Sequence, residues 1–446
     1  MAIDRWLVVG GGVKGIIAAY FLNKAGYEVT IVEGAPFLGG VMHADEWSTF
    51  YLDKGCHLFD NVDDDITGVL MDLMDHQFKP VHVKYASRFN AELSEDIALP
   101  DLSKLDLDTE QLLLEIVNAS LEKNVEAANY SEHLVERYGI QAAAHIEKAA
   151  EKMIQIDCSQ ISVVAAEILP FSRARMFDDK LTDFLKSHPV LDEKLAARPR
   201  GDAFRYYNNV SEKGFRNFYP SEQGTSGFIA RAQKHLEKKG VEFRLKTSLS
   251  EISTVDSMAS VSFSDGLTEN YSRVFWTADV DKLAELVYGE TPLKNLLHKV
   301  PMVLYYYVVP ETLVKDWTYL TDFSDNTLLY RSSAPGIYGN QIDANGNTYI
   351  CCEVPTKIGS GIWNEPETFI DPIWKECINL GQVDKGEYVD VHHIQTPVSF
   401  KIPKVGFLDT EDKIISRVQE HCEHIKVCRT TLFSKLSIVE YLRTVI

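Results

Sequence analysis

The chain of 446 residues lacks several things that would each point to a different kind of protein. It has no uninterrupted apolar tract of about 18 residues, so an integral membrane protein is not expected. It has no excess of base: 45 Lys and Arg stand against 65 Asp and Glu, and a net charge of −20 repels phosphate backbones, so nucleic acid is not an expected partner. Its cysteines, Cys56, Cys158, Cys351, Cys352, Cys377, Cys422 and Cys428, are odd in number and contain no C-x-x-C pair; they read as reduced thiols. The one cluster with metal-ligand chemistry, His421, Cys422, His424 and Cys428, has spacings that fit no familiar zinc module, and no metal is expected. The start, Met1-Ala2-Ile3-Asp4-Arg5, runs into an apolar strand without the order of a secretory signal, and a cytoplasmic location is expected. G-x-S-x-G, H-E-x-x-H and Walker A sequences are also missing, which removes the usual pointers to hydrolase or ATPase chemistry.

What is present is length and rhythm. The chain exceeds the roughly 250–300 residues at which single cores stop growing, so two or three α/β parts are expected, with room for a large ligand between them. Trp6-Leu7-Val8-Val9, a run of glycines, Ile16 to Lys24 and Val29-Thr30-Ile31-Val32 spell strand, turn, helix, strand. From about Asp65 to Arg198 the pattern is helical and reads as an inserted subdomain. An aromatic and basic stretch follows, with Arg205, Tyr206, Tyr207, Phe215, Arg216, Phe218 and Tyr219. Gly227 to Lys239 then reads as a helix and Gly240 to Leu245 as a strand, so the doubly wound rhythm returns. Ala259 to Phe263 reads as one arm of a hairpin turning at Ser264-Asp265-Gly266, with Val274 to Ala278 next. Met302 to Val309 and Thr348 to Val354 suggest a second sheet.

Gly10-Gly11-Gly12-Val13-Lys14-Gly15 satisfies G-x-G-x-x-G between an apolar strand and a helix, the context that a dinucleotide-binding turn needs. Gly10 permits the turn, Gly12 lets a pyrophosphate approach the backbone, and Gly15 lets helix and strand pack closely. The helix start at Val13 and Lys14 offers free N–H groups to phosphate. Ala19, Leu22, Gly26 and Val29 keep the wider pattern in register, and Glu33 ends the second strand where it would accept ribose hydroxyls and disfavour a 2′-phosphate.

After Glu33 and Gly34 comes a second glycine pair, Gly39-Gly40, then Val41; this continuation resembles the glutathione-reductase-like and amine-oxidase-like flavoproteins, and the resemblance implies FAD. Further along the chain is similar to the branch holding protoporphyrinogen oxidases, phytoene-type desaturases, amine oxidases and UDP-galactopyranose mutases. Tyr51-Leu52-Asp53-Lys54-Gly55-Cys56-His57-Leu58-Phe59 looks like the mutase-type segment that passes the isoalloxazine, which implies Gly55 and His57 beside the flavin. Tyr219-Pro220, Gly224, Gly227 and Gly240-Val241-Glu242 resemble the return to the nucleotide unit, with Leu249 at an adenine-contacting position and Thr277 and Ala278 after the next strand. Leu329-Tyr330-Arg331 and Cys352-Glu353-Val354-Pro355 look like substrate-side strands. The end departs from the family: its Gly-Arg is Cys428-Arg429 here, and its Asn-Met-Asp is Ser437-Ile438-Val439, so Ser437 is expected as an N-cap with Ile438 beside the flavin.

The expected architecture is therefore α/β: a Rossmann-like FAD-binding domain with a parallel sheet (1–64, 201–290 and 406–446), a mainly helical insertion (65–200) and a mixed-sheet substrate domain (291–405). The flavin is left to do the difficult chemistry. His57, Arg205, Tyr219 and Arg331 are the candidate catalytic residues, and Arg205, Arg216 and Arg331 are read as clamps for a carboxylate or diphosphate of the substrate. Three functions are open: an FAD-dependent oxidoreductase acting by hydride transfer on a small molecule, a flavin-dependent mutase acting on a sugar nucleotide, and a non-catalytic FAD-binding protein. No second G-x-G-x-x-G is present for a nicotinamide domain, and the oligomeric state is not legible.

Overall fold

A strand with apolar residues at successive positions has to be covered on both faces, and Arg5–Val9 is placed accordingly, at the centre of a five-stranded parallel sheet. The sheet runs Glu242–Arg244, Glu28–Val32, Arg5–Val9, Arg273–Trp276, Ile425–Val427. Alternate side chains serve two cores. Trp6 and Val8 face the helices Val13–Lys24 and Lys435–Val445, while Leu7 and Val9 face the helices Val280–Tyr288 and Phe407–His421. Each such fully buried side chain contributes roughly 1.5–3 kcal/mol of transfer free energy. The structure, a computed structural model, describes residues 4–61, 64–90, 92–121, 127–198, 215–431 and 435–446.

The second sheet is mixed and seven-stranded, in the order Asp390–Pro403, Leu297–Pro310, Asn347–Pro355, Arg331–Ser333, Tyr319–Asp322, Tyr85–Arg88, Leu93–Glu95. Its neighbours are antiparallel except Tyr319–Asp322 beside Tyr85–Arg88. The two strands read from the sequence pair as second and third in that order, Tyr305 opposite Cys352. Tyr305, Tyr306 and Tyr307 alternate faces and are all fully buried, each hydroxyl donating to a backbone carbonyl, of Pro366, Asp53 and Ile370 respectively.

Residues 65–200 supply helices Thr109–Leu121, Tyr130–Tyr138, Ile140–Ile154 and Asp179–Leu185, and also three strands that the helical reading omitted. Phe78–Val81 joins a small sheet with Phe59–Asp60 and Asn217–Pro220, and the strands Tyr85–Arg88 and Leu93–Glu95 extend the mixed sheet. They are only three or four residues long, too short for a period to show. The helical part is tied to the mixed sheet by Lys152, whose ammonium donates to the carbonyls of Asp322 at 2.9 Å and Ser324 at 2.8 Å and to Thr327 Oγ1 at 2.7 Å; burial pulls its pKa down to about 8. The hairpin near residue 263 closes on Thr268–Tyr271, and Val274 after it belongs to the parallel sheet. Among the described residues no helix is long and apolar enough to cross a membrane.

Candidate cofactor and substrate sites

The three motif glycines do different work. Gly10 has φ +105° and a Cβ on it would stand 2.7 Å from Thr277 Oγ1, so the turn admits no side chain. A Cβ on Gly15 would lie 1.9 Å from the Gly10 carbonyl oxygen, which fixes how closely the helix packs on the turn. Gly12 is different: it caps helix Val13–Lys24 in an ordinary extended conformation, and a Cβ there would meet nothing within 4 Å. The protein itself does not demand glycine at that position; the open space lies at the helix N-terminus, over Val13 and Lys14, where a pyrophosphate would be held. The second glycine pair is laid against the first, with the Gly39 N–H donating to the Gly11 carbonyl at 2.8 Å and Gly40, at φ +57°, facing Gly12. Val41 is exposed beside them.

At the carboxyl ends of the same strands a cavity of about 300 Å³ is lined by Gly10, Glu33, Gly34, Leu249 and Ala278, among others. That is the switch point of the parallel sheet, where order reverses on either side of Arg5–Val9 and ligands of such folds bind. Glu33 is fixed there by two backbone donors, Gly11 N–H at 2.7 Å and Ala35 N–H at 2.8 Å, one on each oxygen. Each oxygen keeps a second lone pair for a ribose hydroxyl. Thr277 holds the floor, its hydroxyl donating to the Val9 carbonyl at 2.9 Å.

The C-terminal contribution differs from expectation. Helix Lys435–Val445 starts two residues before Ser437, so Ser437 lies inside its first turn and is not the N-cap; residues 432–434 lie outside the described residues. The Ile438 side chain is 2% exposed and packs into the core against the motif helix. Arg429 directs its guanidinium to Asp412, while its carbonyl accepts from Lys14 Nζ at 3.3 Å. Burial lowers the Lys14 pKa. Next to them Glu411 is fully buried, with Oε1 accepting from Thr430 N–H at 2.9 Å and Oε2 taking no hydrogen bond. The open cradle at Gly12 and the cavity at Glu33 fit an extended dinucleotide such as FAD.

A larger cavity, of about 730 Å³, opens between the insertion and the mixed sheet. Cys56, Leu58, Tyr319, Arg331, Arg216, Arg173 and Arg198 stand on its wall. Gly55, at φ +99°, is held so near Glu353 that a Cβ would come 3.0 Å from its carboxyl carbon. Arg331 makes a two-pronged pair with that carboxylate, Nε to Oε1 at 2.6 Å and a terminal nitrogen to Oε2 at 2.8 Å. Burial works against the Arg331 charge, but Glu353 outweighs it and the guanidinium pKa lies above its ordinary value. His57 Nε2 lies 3.0 Å from the Lys54 carbonyl, in the turn below the wall.

Tyr219 does not reach the cavity. It is fully buried and its hydroxyl donates to the Asp53 carboxylate, which also accepts from Thr225 N–H at 2.9 Å and Thr225 Oγ1 at 3.0 Å. Burial pushes the Asp53 carboxyl up to about 6, against these hydrogen bonds, which pull it down. Tyr219 is thus part of the scaffold under the Asp53–His57 turn. Arg205, with Tyr206 and Tyr207, lies outside the described residues. Sequence reasoning passed over Cys56, Tyr319, Arg173 and Arg198 on the wall. Arg173 and Arg198 sit in irregular segments with no periodicity to single them out.

The sequence family described as flavin containing amine oxidoreductase matches residues 15–318. A 1-hydroxycarotenoid 3,4-desaturase of Flavobacterium sp. (strain P99-3) is 21% identical over 440 residues, covering 89% of this chain and 86% of the relative. Among solved structures, reduced UDP-galactopyranose mutase superposes with a TM-score of 0.72 at 14% identity, covering 99% of this chain and 94% of that one. A putrescine oxidase variant redesigned in cofactor binding gives 0.60 at 12% identity, with 99% and 97% covered. These structural likenesses are to the fold.

Proposed function

The chain belongs to the flavin-containing amine oxidoreductase family, an FAD-dependent oxidoreductase by that membership, and from this premise we propose that it exchanges a hydride between the flavin and a small molecule held in the 730 Å³ cavity. Bound FAD supplies the two-electron acceptor or donor. The chain's residues do the rest. The Gly10–Gly15 turn and the N-terminus of helix Val13–Lys24 hold the pyrophosphate, and Glu33 takes the ribose hydroxyls. Asp53, anchored by Tyr219 and Thr225, fixes the turn that leads to His57. The paired Arg331 and Glu353 keep the wall rigid and neutral at that point.

One observation supports the reading above the others: the Gly55–Leu58 segment, which the family resemblance sets beside the flavin, supplies Cys56 and Leu58 to the wall of the large cavity. A substrate there would meet the flavin end. Anaerobic mixing of the FAD-loaded protein with amines, porphyrinogens and polyene alcohols tests it, and rapid bleaching of the flavin by one class is the expected result. Failure of every class, together with failure of reduced nicotinamides, would leave the non-catalytic reading that the Ser437-Ile438-Val439 sequence suggests.

A second reading, a sugar-nucleotide mutase, is favoured by the Gly55-Cys56-His57-Leu58-Phe59 segment and by the likeness to the mutase fold. Incubation with UDP-galactopyranose under dithionite separates it from the first: a ring-contracted product supports it, and none removes it.

A further inference from the structure

We infer that the large cavity takes a substrate bearing an oxyanion, a carboxylate or a phosphate, and that Arg173, Arg198 and Arg216 form its anion subsite. The inference rests on the proposed function, since it names the substrate class of the same cavity. Five bases stand on the wall, with the acids Asp60, Asp96 and Asp192. Two of the bases are already committed. Arg331 is closed onto Glu353, and Lys186 onto the Asp192 carboxylate at 2.5 Å and the Leu195 carbonyl at 2.9 Å.

Arg173, Arg198 and Arg216 have no carboxylate at ion-pair distance among the described residues. Asp60, the acid beside Arg216 on the wall, accepts instead from the Asn217 side chain at 2.8 Å. Arg198 adds an independent sign: its Nε is shut away from solvent and has no acceptor. A buried donor left unbonded is a standing cost, and it leaves the guanidinium uncommitted to any protein acceptor at that atom. Guanidinium groups present planar forks that match carboxylate and phosphate oxygens two at a time, and in a half-enclosed site such pairs are stronger than in open water. The Tyr319 hydroxyl on the same wall adds a neutral donor.

The test uses the full FAD-loaded chain and calorimetric titration at fixed ionic strength with succinate, inorganic pyrophosphate and the neutral succinamide. Saturable binding of either anion, with succinamide silent, is expected. Pyrophosphate alone would assign the phosphate class and succinate alone the carboxylate class. In Arg173→Gln, Arg198→Gln and Arg216→Gln the dissociation constant should rise about tenfold or more, with Arg→Lys at each position falling between. Flavin content and dithionite reduction, measured separately, should not change; they report on the flavoenzyme reading and not on the anion. Silence of both anions, equal binding of succinamide, or unaltered binding in all three Gln variants would overturn the inference. The comparison of succinate with succinamide needs no variant and stands even if a substituted chain fails to fold.

Discussion

The hydroxyl of Tyr219 donates to the carboxylate of Asp53 across 166 residues of sequence, inside a space closed to solvent. The bond ties the turn that follows the nucleotide motif to the strand Asn217–Pro220, which follows the helical insertion. Its consequence is a charge held where burial disfavours it.

Asp53 should make stability fall as pH rises. Its folded pKa of about 6 lies above the ordinary carboxyl value of 3.8, so the folded state binds the proton more tightly. Stability from this group is full below about pH 4, is lost between about pH 4 and 6, and is flat above, a loss of about 3 kcal/mol for a shift of about two units. In urea titrations from pH 4 to 7, the difference between the wild type and Asp53→Asn should change with this sign and over this window. A difference independent of pH would contradict the assignment. Tyr219→Phe, which removes one donor from the buried carboxylate, should destabilise by about 1–3 kcal/mol while leaving FAD bound.

Gly12 and Gly15 should fail in opposite ways. A Cβ at Gly12 meets nothing, so Gly12→Val should leave the apoprotein's unfolding midpoint nearly unchanged and abolish FAD retention. A Cβ at Gly15 would lie 1.9 Å from the Gly10 carbonyl oxygen, so Gly15→Ala should unfold more easily with or without flavin, by roughly 1–3 kcal/mol. Thermal melts of apo and loaded forms, with flavin counted by absorbance, separate the two. Stoichiometric FAD in Gly12→Val would show that the pyrophosphate lies elsewhere.

Arg331 should prove a partner of Glu353 before it is anything else. Glu353 is 2% exposed, and removing the arginine strands its charge. Arg331→Met should cost about 3–5 kcal/mol, and adding Glu353→Met should restore much of it, because two apolar chains leave no buried charge. If the double variant is as unstable as the single one, the pair does not act as a unit.

The strand–turn–helix–strand unit of residues 5–33 was legible almost residue by residue because it is local. A strand, three glycines, a helix and an acid at the end of the next strand fall within residues 5–33, and each is constrained by its near neighbours. Leu249 and Ala278 were legible only through family resemblance, since strand pairing from distant segments brings them to Glu33. The substrate end was less legible. Tyr219 was expected at the chemistry, yet its partner Asp53 comes from a segment whose burial no local pattern shows. Tyr305, Tyr306 and Tyr307 alternate faces as any strand requires, but no local pattern shows that both faces are closed. Ser437 was expected to cap a helix that in fact starts at Lys435.

The central claim is that the cleft at Gly12 and Glu33 holds FAD, and its most direct test is the absorbance spectrum of the purified protein followed by release and chromatography of whatever absorbs. Flavin bands and release of about one FAD per chain are expected, with none from Gly12→Val. A colourless protein that also refuses added FAD, or one that releases FMN alone, would contradict it.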